Sequence, residues 1–372
     1  MKKIKIIHVL HCVGGVETSL RLILKNIDPE KYESIVIHGL MDTSSPFEDK
    51  NGASVKEYKI PIYRNISLWN DLIALYRCYS ILKHEKPRVI HAHSAKGGII
   101  GRVIGRLLGI KVLFTPQAFS YLSETKGLKR NIFLKIERFF ANANSLLLAS
   151  SQSELERGIN EVGYKRENTL LFNNCINPIL SVSPLTIEKT WPDRYICTVG
   201  RPCYQKNIDF MIKAFSEIKD SEIHLVVMGV GHHVDQLDIV ERLIAKLGLK
   251  DRVTLLKWTS REDVLHIINK AELYISTARY EGLPYAVIES LALAKACIVT
   301  DCDGNRDLIS NGFNGYVVQG DDYKVFGEAV SGVLKDDHLK TSFGNNAKEH
   351  FMKYFNIETN VSAIESIYDT YK

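Results

Sequence analysis

The chain has 372 residues, 45% hydrophobic and 24% charged, with a formal net charge of +5. These shares are ordinary for a globular protein and exclude disorder, a collagen-like repeat or a disulfide scaffold for the chain as a whole. The charge is uneven: residues 1–180 carry 26 Lys+Arg against 16 Asp+Glu, and residues 181–372 carry 22 against 27, so the first half is predicted to meet an anionic surface or substrate.

At roughly 100–200 residues per domain, the length predicts two domains. Ile4–Leu10 reads as a buried first strand; Lys5 and His8 interrupt the run that a signal peptide would need. A helix is predicted over Glu17–Asn26, with Leu20, Ile23 and Leu24 inward, and a strand over Ser34–Ile37. Leu72, Leu75, Tyr76 and Tyr79 stand at helical spacing in a helix over Leu68–Lys83. A strand over Arg88–Ala92, a helix over Lys96–Leu108, and strands over Lys111–Thr115 and Ser145–Ala149 follow. Such alternation implies a parallel sheet covered by helices on both faces. The runs Gly97–Gly101 and Ser145–Ser150 fall far short of the ~20 apolar residues of a membrane helix.

The order then restarts. Strands are predicted over Arg194–Val199, Ile223–Met228, Val253–Leu256, Leu273–Ser276, Cys297–Thr300 and Gly315–Val318. Helices are predicted over Ile208–Ile218, Val234–Leu247, Glu262–Ala271 and Tyr285–Leu293. Pro178, Pro184 and Trp191-Pro192 mark residues 178–192 as a linker. The expected fold class is therefore α/β, with two doubly wound domains at 1–180 and 190–355 facing across a cleft. Residues 356–372 are expected to form a C-terminal helix packing back on the first domain. Ligands of such sheets bind outside the carboxyl ends of the strands. Seven cysteines without a CxxC pair fit a reducing cytoplasm.

Four stretches carry candidate chemistry. Gly14-Gly15 lies between the first strand and helix, where backbone can approach a ligand closely and a helix N-terminus can hold an anion; a tight turn alone would explain it equally well. It is not GxGxxG, so a dinucleotide fingerprint is absent. His91-Ala92-His93-Ser94 ends a strand. Its two histidines are expected to leave on opposite faces and make a poor metal pair, with no third ligand cluster in view. Gly200-Arg201 and Lys206 open the second domain's first turn, where Arg is a bidentate donor and Lys a point charge for a diphosphate. Glu281-Gly282-Leu283 and Glu289 straddle a turn and the helix after it. A carboxylate there can accept from two vicinal hydroxyls of a ribose.

In this order and spacing the motifs resemble the GT-B glycosyltransferases, specifically the retaining family 4, "glycosyl transferases group 1" type. The resemblance covers nearly the whole chain. It rests on Gly14-Gly15-Val16-Glu17, His91–Ser94, Gly200-Arg201 with Lys206, Glu281 with Glu289, and Asp303–Asp307 followed by Gly315–Val318. It implies the GT-B fold of two Rossmann-like domains, with a nucleotide-diphosphate sugar, a UDP-sugar favoured, bound mainly by the second domain. Arg201 and Lys206 would hold the diphosphate, Glu281 would face the donor sugar and Glu289 the ribose. Gly14, Gly15, Gln117, Gly200, Gly282 and Leu283 would complete the donor site, with His93 a further catalytic candidate. No cofactor and no essential divalent metal are expected. The acceptor would be a saccharide or lipid-linked saccharide in surface-polysaccharide synthesis, similar to members that build bacterial surface polysaccharides.

Three positions depart from the family pattern. Thr115-Pro116-Gln117 stands where a Thr-x-His is usual, Asn207 where a glycine commonly follows the lysine, and Asn174-Cys175 where Asn-Gly is common before the linker. Two other enzyme readings compete. Asp301-Cys302-Asp303 is a DxD, the metal-ligand motif of single-domain transferases, but it sits in the last quarter of the chain. A sugar-nucleotide epimerase of the same fold would need hydroxyl-abstracting carboxylates in the first domain, and no strong candidate is visible. A non-catalytic sugar-nucleotide binder would lack Arg201, Lys206 or a donor Glu; all are present. Lys126–Phe140 carries five Lys or Arg and one acid, with Leu128, Ile132, Ile136, Phe139 and Phe140 along one helical stripe. Either the stripe is core, or the helix contacts an anionic membrane as a peripheral anchor on the inner face of the cytoplasmic membrane. No nucleic-acid partner is expected.

Overall fold

The computed structural model describes residues 3–372 except 12, 13, 44, 64, 66, 125, 126 and 232–235. Two compact units emerge: Met1–Asn177 with Ile357–Lys372, and Pro178–Asn356.

Unit 1 runs β1 (Ile4–Val9), α1 (Gly15–Leu24), β2 (Tyr32–Gly39), β3 (Lys56–Ile60), α2 (Leu68–Glu85), β4 (Val89–His93), α3 (Ser94–Leu108), β5 (Lys111–Thr115), α4 (Leu128–Phe140), β6 (Ser145–Ala149), α5 (Gln152–Arg157) and β7 (Thr169–Leu171). The strands form a parallel sheet in the order β3-β2-β1-β4-β5-β6-β7. Both edge strands escape the sequence reading for a physical reason. The β3 sequence Lys-Glu-Tyr-Lys-Ile is mostly polar because only its last residue is buried, and β7 is three residues long. On one face Ile7, Val9, Ile90, Ala92 and Phe114 pack under α2 and α3. There α3 rests directly on the strands: a Cβ at Gly97 would lie 2.4 Å from the Val9 carbonyl oxygen, and one at Gly101 2.7 Å from the Ala92 Cβ.

Unit 2 runs β8 (Tyr195–Val199), α6 (Ile208–Ser216), β9 (His224–Val230), α7 (Leu237–Lys246), β10 (Val253–Lys257), α8 (Arg261–Lys270), β11 (Tyr274–Ser276), α9 (Tyr285–Ala292), β12 (Cys297–Thr300), α10 (Asn305–Leu308), β13 (Gly315–Val318), α11 (Tyr323–Lys335) and α12 (Asp337–Tyr354). Its sheet is also parallel, in the order β10-β9-β8-β11-β12-β13. The expected start of α7 at Val234 lies outside the described residues. The last helix, α13 (Ile357–Asp369), returns to unit 1. Its Ile364 and Tyr368 pack on Ile4, Ile6, Val89 and Leu113, the second face of that sheet.

Residues 178–192 do not behave as a free linker. They strap onto unit 2, because Asp263 at the start of α8 accepts from the Thr186 backbone N–H at 2.7 Å and its hydroxyl at 2.8 Å. His266 donates to the Ser183 carbonyl at 2.9 Å, and Trp191 is buried. Asp263 also accepts from Thr259 and Ser260. The Thr186 backbone N–H, helped by these hydroxyls and against the effect of burial, holds its carboxyl down to about 2.

A folded value below the ordinary carboxylate value means that this stabilisation is present above pH ~4 and is lost as pH falls toward 2. Asp263→Ala is therefore expected to lower the urea midpoint at pH 7, and the gap to the parent protein to narrow below pH ~4; equal gaps at pH 7 and pH 3 would contradict this.

Candidate active site

In unit 2 the chain steps outward from β8 to β9 and β10, then returns to β11 on the other side of β8. A parallel sheet opens a crevice at such a reversal, outside the carboxyl ends of the two diverging strands. The turn after β8 holds Gly200, Arg201 and Lys206. The turn after β11 holds Glu281, Gly282 and Leu283. The topology thus brings together the residues that the sequence motifs singled out in this half.

Hydrogen bonds lace the two turns. Lys206 Nζ donates to Glu281 Oε1 at 2.7 Å, and Gln205 Nε2 donates to Glu281 Oε2 at 3.1 Å. The Arg279 backbone N–H donates to the Gln205 carbonyl at 2.8 Å, and the Thr277 hydroxyl to the Lys206 carbonyl at 3.2 Å. Glu281 is buried, so its charge depends on Lys206 for compensation. A Cβ at Gly200 would press on the Lys206 side chain at 3.2 Å; the glycine leaves the lysine its path. Arg201 is half-buried and makes no ion pair or side-chain hydrogen bond among the described residues. Its charge is therefore unspent.

Glu289 sits in the second turn of α9 and is buried. Burial pushes its carboxyl above the usual range, opposed by Arg261, whose Nε donates to Oε1 at 2.8 Å. The Asp303–Asp307 loop seats on the same turn: a Cβ at Gly304 would lie 2.8 Å from the Gly282 carbonyl oxygen. Asp301 and Asp303 are clamped by one guanidinium, Arg306 Nε and Nη1 donating at 2.6 Å to each, so an arginine already holds the acids of the DxD triplet. Asn207 adopts φ 55° at the start of α6. Asn is among the few residues that visit this left-handed region readily, which explains how it replaces a glycine. Cys175 has no positive φ, so a glycine is not required there.

The remaining candidates lie on unit 1. Gly14 has φ 58° and starts α1, with Gly15 as its first residue; Cys12 and Val13 lie outside the described residues. Gln117, at φ 56°, forms a reciprocal amide pair with Asn174, each donating to the other at 3.0 Å. One expectation needs correction. Alternate residues of a strand share a face, and His91 and His93 accordingly lie side by side, their rings tilted with centroids 3.9 Å apart. His93 is also completely buried. Its Nε2 meets His8 Nδ1 at 3.1 Å. Burial holds all three imidazoles neutral, pushing His93 down to about 3 and His8 and His91 well below their usual value.

Sequence reasoning missed His8, Gln205 and Arg261. His8 faces His91 in register across β1 and β4, a pairing no local pattern reveals. Arg261 opens a helix 28 residues before its partner Glu289. On α4 the apolar stripe is only partly covered: Leu128, Ile132 and Phe139 are exposed at 77%, 45% and 67%, and Ile136 and Phe140 are half-buried. The inner side is instead Phe133, Leu134 and the buried Glu137, which pairs with Arg102 at 2.9 Å. Lys126, at the start of the basic stretch, lies outside the described residues.

Comparison with known proteins follows the same division. Residues 13–179 match the family described as "Glycosyltransferase Family 4", and residues 187–350 match "Glycosyl transferases group 1". The chain is 28% identical to the UDP-Gal:alpha-D-GlcNAc-diphosphoundecaprenol alpha-1,3-galactosyltransferase of Escherichia coli, over 98% of this chain and 97% of that one. It is 23% identical to the capsular polysaccharide biosynthesis glycosyltransferase CapM of Staphylococcus aureus, over 100% and 98%. Its fold superposes on sucrose-phosphate synthase from Thermosynechococcus elongatus with a TM-score of 0.82 at 17% identity, covering 99% of each chain.

The chain is a GT-B glycosyltransferase.

In this glycosyltransferase the two cations of the β8 turn stand in different electrostatic states, and their removal should differ accordingly. Arg201→Ala is expected to weaken UDP binding about ten- to a hundredfold, the cost of ~1.5–3 kcal/mol for one charged partner, with the urea midpoint unchanged. Lys206→Ala is expected to weaken UDP binding at least as much and also to lower the midpoint, because it strands the buried Glu281. Calorimetric titration with UDP alongside urea melts checks both; unchanged Kd in both variants would remove the diphosphate from this turn.

Proposed function

We propose that this glycosyltransferase moves a sugar, with retention of anomeric configuration, from a UDP-sugar to a lipid-diphosphate-linked saccharide in surface-polysaccharide synthesis. The observation that carries the donor half is the pairing of the two turns at the β8–β11 reversal. Arg201 offers a guanidinium with no other partner among the described residues, and Lys206 is shared between Glu281 and the incoming diphosphate. As the bond to the sugar breaks, negative charge grows on the leaving diphosphate. Cations already fixed in place stabilise it without reorganisation, which is the largest electrostatic contribution such a site can make. Glu281 faces the sugar. Arg261 engages Oε1 of Glu289, which leaves Oε2 to accept from the ribose hydroxyls.

No essential divalent metal enters this chemistry. Protein cations take its usual place at the phosphates, and Arg306 occupies Asp301 and Asp303. The E. coli relative is named for a UDP-sugar donor and a diphosphoundecaprenol acceptor, and an acceptor carrying phosphates suits the basic first half of this chain.

The acceptor brings in the membrane. No helix among the described residues is long and apolar enough to cross one, so the proposed contact is peripheral and on the cytoplasmic face. Leu128, Ile132 and Phe139 are exposed on α4 beside Lys129, Arg130, Lys135 and Arg138. Such a helix lies in the lipid interface, and each Lys or Arg near anionic lipid adds about 1 kcal/mol.

Two measurements test this reading. Transfer from UDP-sugar to an undecaprenyl-diphosphate-linked acceptor is expected to persist in EDTA and to gain nothing from Mn²⁺. Abolition by EDTA with rescue by Mn²⁺ would restore the DxD acids as ligands, and epimerised donor without transfer would replace the reaction. In co-sedimentation, binding to anionic but not neutral vesicles is expected, weakened by salt and by Lys129→Glu with Arg130→Glu; indifference to both vesicle types at low salt would sink the membrane contact.

A further inference from the structure

One cluster takes no part in the transfer chemistry. His8 of β1 and His91 and His93 of β4 lie on one face of the unit 1 sheet, at 0%, 1% and 0% exposure. One ring nitrogen from each can be chosen so that all three lie within 4.8 Å of one another. The cluster is under-satisfied. His91 uses both nitrogens, Nδ1 to the Tyr368 hydroxyl at 2.8 Å and Nε2 to the Thr115 hydroxyl at 3.0 Å. His8 Nε2 and His93 Nδ1 have no hydrogen-bond partner among the described residues, although buried polar atoms are nearly always satisfied. The polar contact between these two rings is made by their other nitrogens, His8 Nδ1 and His93 Nε2, at 3.1 Å, close to the edge of about 3.3 Å that separates two nitrogens on a tetrahedral ion with bonds of 2.0–2.1 Å.

We propose that His8, His91 and His93 form a structural site for a single borderline transition-metal ion, Zn²⁺ by preference, with the Tyr368 hydroxyl as fourth donor. The donor chemistry sets the class of ion. Three uncharged imidazoles with no carboxylate among them suit Zn²⁺, Co²⁺, Ni²⁺ or Cu²⁺ and do not suit Mg²⁺ or Ca²⁺, which need oxygen. Burial sets the role. A catalytic ion needs an open position for water or substrate, and these side chains have no exposed surface, so the ion ties elements together instead. Tyr368 belongs to α13, the helix that reaches unit 1 only after the whole of unit 2 has been traversed. On binding, its phenol O–H releases the proton to solvent, and the phenolate reduces the net charge of the buried centre from two to one. The ion thus links β1, β4 and α13, adding a coordination bond to the apolar packing of Ile364 and Tyr368.

Because the site is closed, the metal must be loaded as the chain folds. The test is elemental analysis of full-length protein purified without chelator, together with protein unfolded and refolded in Co²⁺. Near-stoichiometric zinc in the first and the intense visible bands of four-coordinate Co²⁺ in the second are expected. His93→Asn should weaken Co²⁺ binding by about a hundredfold or more, and Tyr368→Phe by about 10–100-fold, whereas His38→Asn, at another buried histidine of unit 1, should leave it unchanged. Where His93→Asn fails to fold, the melting temperature of the unaltered protein refolded with Zn²⁺ decides: a rise over protein refolded with Mg²⁺ supports the site. Metal-free protein under native purification, no visible Co²⁺ bands after refolding and equal melting temperatures with Zn²⁺ and Mg²⁺ would overturn it.

Discussion

A lysine from one crossover and a glutamate from another meet at 2.7 Å in unit 2, and the two turns at the sheet's reversal are arranged around that meeting. Lys206 arrives on the turn after β8 and Glu281 on the turn after β11, adjacent strands whose crossovers leave in opposite directions. Burying Glu281 unpaired would be costly. Pairing it fixes the lysine at the mouth of the reversal, and Gln205, Thr277 and Arg279 fasten the two turns on either side. The ion pair consumes one positive charge and leaves Arg201 with its own intact. In the proposed binding mode, a diphosphate approaching this turn meets one cation that is unpaired among the described residues and one that is held in position.

The same economy shapes the rest of unit 2. Glu289 would be a buried, uncompensated carboxylate without Arg261, and Asp301 and Asp303 would repel each other without Arg306. Each acid that resembles a ligand in the sequence has an arginine or lysine partner in the fold. What separates them is geometry. Glu281 and Glu289 lie on the turn and helix that follow β11, beside the reversal, whereas the Asp301–Asp303 triplet is spent on holding the next loop together.

Much of this was legible in the sequence because the signals are local. The strand–turn–helix rhythm gave both sheets, and Gly200, Lys206, Glu281 and Glu289 stand at short spacings that survive without knowledge of contacts. Elements whose residues do not look like their role were harder. The β3 edge strand is polar because one side of it faces water. The apolar stripe of α4 looks like core, yet Leu128, Ile132 and Phe139 of it are exposed, while the charged Glu137 beside it is buried against Arg102. Partners far apart in the chain could not be seen at all: His8 with His91 across 83 positions of sequence, and His91 with Tyr368 across 277. The histidine face was misjudged on geometry, since alternate positions of a strand share a side.

The central claim is that the nucleotide is held by the two laced turns of unit 2. Hydrogen exchange followed by mass spectrometry, with and without UDP and in the absence of divalent metal, tests it directly. Protection confined to peptides covering residues 200–208 and 281–290 is the predicted result. Protection that appears only with Mn²⁺ and centres on residues 300–307, or that is absent from unit 2 altogether, would contradict it.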